Sequence, residues 1–223
     1  MIEVVCFDLD DTLCDYETSG KLSRKKLFHY AISKCEAVKL TQFQKAYDMA
    51  LREMIEHHDR EAIFLKMSGK DTWIEHLTRT LKIWGFNNSH LVEELVSIYG
   101  NERRKTLKLF PDALPVLSSL REKYSLSLLT NGPSDIQREE IEDLQIESYF
   151  DHIIIAGEVG YAKPDPEIFR FLINEYSIPS SQILYVGNSQ KHDITSAYKA
   201  GLQIAWINRK NEIFNPETSK SHY

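Results

Sequence analysis

Five short runs of apolar, mostly β-branched residues recur along the chain at 2–7, 126–130, 153–155, 183–187 and 203–207. Each is too short for a buried helix and too continuously apolar for a strand with one wet face, so each reads as a strand buried on both faces. Between the later runs lie helical patterns with legible ends. Asp165 stands as an N-cap before Pro166 at the first helical position, and Gly201 closes a helix over 193–200. Strand alternating with helix predicts a parallel sheet. The stretch from 16 to 106 differs, because it holds no strand-like run. There Leu27, Tyr30, Ala31 and Cys35 share one helical face, and Phe43, Ala46, Tyr47, Ala50, Leu51 and Met54 share another. A block of helices inserted after the first strand of such a sheet suggests a lid above that strand's carboxyl end.

Charge narrows the function. The chain has 27 Lys and Arg against 33 Asp and Glu, a net charge of −6, and no basic run is longer than Arg24-Lys25-Lys26. Sequence-independent nucleic-acid binding needs a basic stripe to neutralise phosphates, so that class is set aside. The balance is uneven: residues 16–106 carry 16 basic and 12 acidic side chains, and the remainder 11 and 21. A basic lid over an acidic base suits an anionic substrate held beside a cation. Cys6, Cys14 and Cys35 form neither a disulfide framework nor a metal knuckle, which points to a reducing compartment. No apolar run reaches the roughly 20 residues that span a bilayer, and no basic leader with a cleavage site precedes residue 2. The expected setting is the cytoplasm, with no membrane partner.

Chemistry gathers at the predicted strand ends. Asp8, Asp10 and Asp11 place three carboxylates within four positions of the first strand, followed by Thr12. Like charges so close raise one another's pKa unless a cation sits among them, and hard oxygen donors favour Mg²⁺ over zinc or copper. Thr130, Asn131 and Gly132 close the second strand and Gly187-Asn188-Ser189 the fourth, at the rim where open parallel sheets bind ligands. Lys163 precedes a proline-started helix, placed to direct its ammonium at a phosphate or carboxylate.

With these elements in order, namely DxDxT at Asp8–Thr12, a strand ending in Thr130, Lys163 in KPDPEIF, and GNSQKHD at 187–193, the sequence resembles the haloacid dehalogenase-like hydrolase superfamily, in the subgroup with a helical cap after strand one. The resemblance implies Asp8 as a nucleophile that forms an aspartyl-phosphate, and Asp10 as the acid and base that serves leaving group and water. It further implies Thr130, Asn131, Gly132 and Lys163 as groups that hold the phosphoryl oxygens. Mg²⁺ would be held by Asp8, the Asp10 carbonyl, Asn188 and Asp193. One position departs from the pattern: the family commonly has Gly-Asp where Gly187-Asn188 stands, which weakens the expected metal site by one charge.

Two readings compete. A haloacid dehalogenase shares the fold but needs no proton donor for halide, so Asp10 argues against it. A catalytically weak binding or regulatory protein on the same scaffold is suggested only by Asn188. A signalling receiver is excluded by chain order, since Ile153-Ile154-Ile155 leads into Ala156-Gly157 without an aspartate. His57-His58 reads as a solvated helix end, and Trp73, Leu77, Leu81 and Trp84 as core of the helical block. The expected protein is α/β: a doubly wound, Rossmann-like parallel-sheet core at 1–15 and 107–223, with an all-helical cap domain at 16–106. It is expected to hydrolyse a small phosphorylated metabolite with Mg²⁺, and no motif sets its oligomeric state.

Overall fold

The computed structural model describes residues 1–34, 39–58 and 65–215. Five strands, β1 (Val4–Phe7), β2 (Ser125–Thr130), β3 (His152–Ile155), β4 (Ile183–Gly187) and β5 (Gln203–Trp206), form one sheet in the order β3-β2-β1-β4-β5. Every pairing is parallel, with Val5 opposite Leu126 on one side and Leu184 on the other. Alternate side chains of β1 leave by opposite faces. Val5 and Phe7 pack with Ala113, Leu117 and Ile141, whereas Val4 and Cys6 pack with Ile168, Phe169 and Leu172. Both faces of β1 are therefore dry, as its continuous apolar run requires.

The helices, in chain order, are α1 (Tyr16–Ser33), α2 (Leu40–His58), α3 (Gly69–Trp84), α4 (Ser89–Thr106), α5 (Ala113–Arg121), α6 (Ser134–Asp143), α7 (Ala156–Val159), α8 (Pro166–Tyr176) and α9 (Ser196–Lys199). Helices α1 to α4 form a layer of their own around Leu27, Ala31, Phe43, Leu77, Leu81, Leu91 and Leu95. Their starts are capped as the sequence dictates: Asp15 accepts from the Thr18 amide, Ser68 from Asp71 and Asn88 from Leu91. Of the predicted α2 stripe, Phe43, Ala46, Ala50 and Met54 are buried while Leu51 is exposed. Cys35, expected on the α1 face, lies outside the described residues. Cys6 and Cys14 are free and buried.

Two crossings join the helical layer to the sheet, and they run side by side. The Phe110 amide donates to the Leu13 carbonyl and the Asp15 amide to that of Lys108, both at 2.9 Å. The helix expected at 193–200 begins earlier and differently, as a π-helical turn over Gln190–Thr195 that passes into α9. Gly201 ends it with φ +86°. Of the polar stretch after 210, residues 211–215 are tied to this turn, the Asn215 amide donating to Gln190 at 2.8 Å.

Candidate active site

Strand order reverses between β1 and β4, so the carboxyl ends of these strands open a crevice. The chain leaving β1 turns at once, the amides of Thr12, Leu13 and Cys14 all donating to the Leu9 carbonyl. Asp11 takes φ +58°, which aspartate tolerates better than most residues. Asp8 at the start of this turn is buried. Its Oδ2 accepts from Thr12 at 2.8 Å and its Oδ1 from Lys163 at 2.6 Å. The same Lys163 ammonium donates to Asp193 Oδ1 at 2.7 Å and the Tyr185 hydroxyl at 3.0 Å, which uses all three of its hydrogens. Asp193 Oδ2 accepts from the Ser189 amide at 2.8 Å.

This cluster sets its own protonation. Burial pushes Asp8 up to about 6, opposed by Lys163 and reinforced by Asp193. Burial also works against the Lys163 charge, yet Asp193 and Asp8 outweigh it and hold the ammonium above the usual lysine range. Two carboxylates thus share one cation.

Asp10 faces away from that cluster, into a cavity of about 360 Å³. Asp10, Asn131, Gly132 and His192 come from the sheet side, and Tyr16, Trp73, Tyr99 and Arg103 from the helical layer. Desolvation raises the Asp10 pKa well above the carboxylate range; the negative charge of Glu140 adds to this and Arg103 opposes it. A carboxyl that keeps its proton beside a cavity can give it to a leaving group.

Thr130 ends β2 fully buried, its hydroxyl donating to Gln137 Oε1 at 2.7 Å. The Asn131 side chain does not face the cavity as a free donor. It is paired with the Lys163 backbone, donating to its carbonyl and accepting from its amide, both at 2.8 Å. Asn131 thereby holds Lys163 in place. Gly132 adopts φ +135°, open to glycine alone among common residues. On α6, Gln137 Nε2 donates to Glu140 Oε2 at 3.1 Å, and Glu140 Oε1 accepts from Arg103 Nε at 2.7 Å. Arg103 Nη2 lies 2.6 Å from the same oxygen but too poorly aligned for a hydrogen bond. The guanidinium stacks 3.9 Å above the Tyr16 ring.

The fourth strand end carries Asn188, whose Oδ1 lies 3.4 Å from the Thr12 hydroxyl that also serves Asp8. Asp8 and Asn188 therefore stand on either side of one threonine. The oxygens of Asp8 and Asp193 are all engaged within the protein, and the donors gathered for a cation would be Asp8, the Asp10 main-chain carbonyl, Asn188 and Asp193. Among the described residues no three His, Cys, Asp or Glu side chains are grouped as a metal cage. The available set is nonetheless all hard oxygen, and its carboxylates outnumber the one ammonium, which fits Mg²⁺ better than a soft metal.

A sequence model of the haloacid dehalogenase-like hydrolase family matches residues 5–207. The chain belongs to this family. It is 29% identical to mouse N-acylneuraminate-9-phosphatase, an alignment covering 100% of this chain and 89% of that one. It is 32% identical to glyceraldehyde 3-phosphate phosphatase of Methanothermobacter thermautotrophicus, over 93% of this chain and 86% of the other. The solved structure of a 2-haloacid dehalogenase from Pseudomonas syringae superposes with a TM-score of 0.72 at 24% identity, covering 96% of this chain and 90% of that one, which shows the shared fold.

Within this family member, sequence reasoning gathered Asp8, Asp10, Thr130, Lys163, Asn188 and Asp193, and the fold brings all of them to one end of the sheet. It missed Gln137, Glu140 and Arg103, and it assigned Trp73 to the helical core although that ring also lines the cavity. The spacing of Gln137 and Glu140, one turn apart just after the Thr130 strand, was the available signal. His58 meets Glu75 at 2.9 Å on the surface of the helical layer, remote from this site.

Proposed function

We propose that this chain is a Mg²⁺-assisted phosphomonoesterase that works through Asp8. The observation that carries the reading is the wiring of that carboxylate: held between Lys163 and Thr12 at a strand end, with a second, proton-retaining carboxyl two residues on facing the cavity. An Asp8 oxygen attacks phosphorus in line, forming the Asp8 O–P bond as the ester P–O bond breaks. Asp10 gives its proton to the departing oxygen and then, as a carboxylate, takes one from the water that cleaves the aspartyl-phosphate. Thr130, the main-chain amides around Asn131 and the Lys163 ammonium receive the phosphoryl oxygens.

Asp8, the Asp10 carbonyl, Asn188 and Asp193 would hold Mg²⁺. Bound there, the ion supplies charge that offsets the phosphoryl oxygens. In this reading residues 16–106 act as a cap over the core of 1–15 and 107–223. The organic part of a small phosphorylated metabolite lies against Tyr16, Trp73 and Tyr99, the kind of substrate the curated relatives' names describe. No described helix is long and apolar enough to cross a membrane, and the buried free thiols suit a reducing cytoplasm.

The test is phosphate release over a panel of small phosphomonoesters with Mg²⁺, for wild type and Asp8→Asn. The variant keeps the shape of the side chain, so its melting temperature is expected within a few degrees of wild type while kcat falls by at least about a thousandfold. Halide release from 2-haloacids without Mg²⁺, in place of phosphate release, would replace this reading with the dehalogenase.

A further inference from the structure

Four buried side chains form a hydrogen-bonded chain, of which the chemistry above uses Thr130 alone. Thr130 at the end of β2 donates to Gln137, Gln137 donates to Glu140, and Glu140 accepts from Arg103 in the last turn of α4. Arg103, Gln137, Glu140 and Thr130 are all at most 5% exposed. The chain therefore runs from the helical layer, through α6, to the phosphate end of the sheet.

Its hydrogens all run toward one carboxylate. A carboxylate held by a guanidinium only accepts, so Gln137 turns its NH₂ to Glu140 and its carbonyl to Thr130. A hydroxyl has one hydrogen to give. Thr130 directs it at Gln137, away from any phosphoryl oxygen.

We infer that Arg103 and Glu140, acting through Gln137, are positioning residues that set which way Thr130 points its hydroxyl hydrogen, and so how tightly the site grips an oxyanion. The inference rests on the phosphatase reading, which makes Thr130 a phosphoryl contact. Arg103 belongs to the helical layer and Glu140 to the sheet side, so the position of that layer is reported to the phosphate site. Glu140→Gln releases the constraint: its new NH₂ can serve the Gln137 carbonyl, the Gln137 amide can turn and donate to Thr130, and the hydroxyl hydrogen is freed for the oxyanion.

The experiment measures binding of inorganic phosphate and of tungstate, with Mg²⁺, by calorimetry. Neither ligand has an organic part to touch Arg103 or the aromatic walls. Wild type, Glu140→Gln, Thr130→Val and the double variant form a cycle. Glu140→Gln is expected to bind about fivefold more tightly, the worth of one ordinary hydrogen bond, and the gain should vanish with Val at position 130. Gln137→Met, which removes the acceptor, should behave the same way and covers the case in which Glu140→Gln does not fold. Arg103→Met should likewise change affinity differently in the two backgrounds. Loss of a negative charge alone tightens binding equally with or without the Thr130 hydroxyl, so an equal gain in both backgrounds overturns the inference. Unchanged or weaker binding in Glu140→Gln and Gln137→Met overturns it too. Phosphate release on the same proteins separates the two levels. A wild type that neither binds oxyanions nor releases phosphate removes the phosphatase reading and this inference with it, whereas an active wild type with additive effects removes the inference alone.

Discussion

Lys163 and Arg103 are each 4% exposed and each meets carboxylates, yet they are built for different tasks. Lys163 lies between Asp8 and Asp193, with Tyr185 taking its third hydrogen, and all four groups belong to the sheet side. Arg103 crosses from the helical layer to Glu140 on α6, uses one edge of its guanidinium, and rests its face on Tyr16. A compact ammonium with three divergent donors suits a fixed junction of strand ends. A planar fork that stacks suits a joint between two parts, because it makes or loses its contacts as a unit.

The largest expected effect comes from Lys163→Met, which leaves two buried carboxylates facing each other. At neutral pH it should cost about 3–5 kcal/mol, seen as a melting temperature lower by about 10 °C or more, and phosphate release should disappear. Arg103→Met strands only Glu140, and about 3 kcal/mol is expected, with kcat reduced rather than lost. Equal damage from the two substitutions, in stability and turnover alike, would erase the distinction between junction and joint.

Gly69→Ala loads the joint without altering Arg103 or Glu140, straining instead the 2.8 Å bond from the Gly69 amide to Asp135 on α6. A Cβ there would lie 2.0 Å from Ile136 Cγ1 on α6, so α3 must move away, at about 1–3 kcal/mol. Faster hydrogen exchange should be confined to α3, α4 and α6, with β1 and β4 unchanged. Asn188→Asp loads the junction instead, adding a carboxylate beside Asp8. The metal-free melting temperature should fall by a few degrees and the rise on adding Mg²⁺ should grow, as a Mg²⁺ titration of thermal shift reads directly.

The smallest effect belongs to a buried basic group whose hydrogen bond goes to a main-chain carbonyl and not to a carboxylate. His76 is 7% exposed and meets the Tyr47 carbonyl at 2.9 Å. Burial lowers its pKa, with that carbonyl and the negative charge of Asp48 opposing. The unfolded chain therefore binds the proton first, near pH 6.5. The stability that neutral His76 contributes is present above this pH and lost as pH falls through the lower folded pKa. His76→Gln should flatten the loss between pH 7 and 5 by on the order of 1 kcal/mol, measured by denaturant unfolding. His192, shifted the same way by burial, leaves a residue of the slope.

The junction was legible in the sequence and the joint was not, for a physical reason. Asp8, Thr130, Lys163 and Asp193 each follow or flank a strand or turn signal, so topology alone carries them to one rim. Arg103 stands in Arg103-Arg104-Lys105, where the residue that is buried and the one half in water have the same letter. Only packing against Tyr16 and Glu140 tells them apart. Gln137 and Glu140 read as one more polar helix face, and Trp73 continues the apolar stripe of Leu77 and Leu81 before its ring emerges at the cavity. Leu51 shows the opposite error, an apolar residue adjacent to a real stripe but turned outward. The doubly wound sheet, by contrast, follows from runs such as 2–7 whose dryness on both faces allows few arrangements.

The turn at Gln190–Thr195 gives the site a sensitivity to counting. The Ile194 amide reaches back five residues to the Ser189 carbonyl, so the backbone there is wound one residue looser than an α-helix. Removing any one residue from 190–192 would let it close as ordinary helix and swing everything beyond by about 100°. Asp193 would then leave Lys163, although Asp193 itself had not been exchanged. Exchange of Lys191, which faces water, should pass unnoticed by comparison. At this join the number of residues matters more to the position of Asp193 than the identity of those that face water.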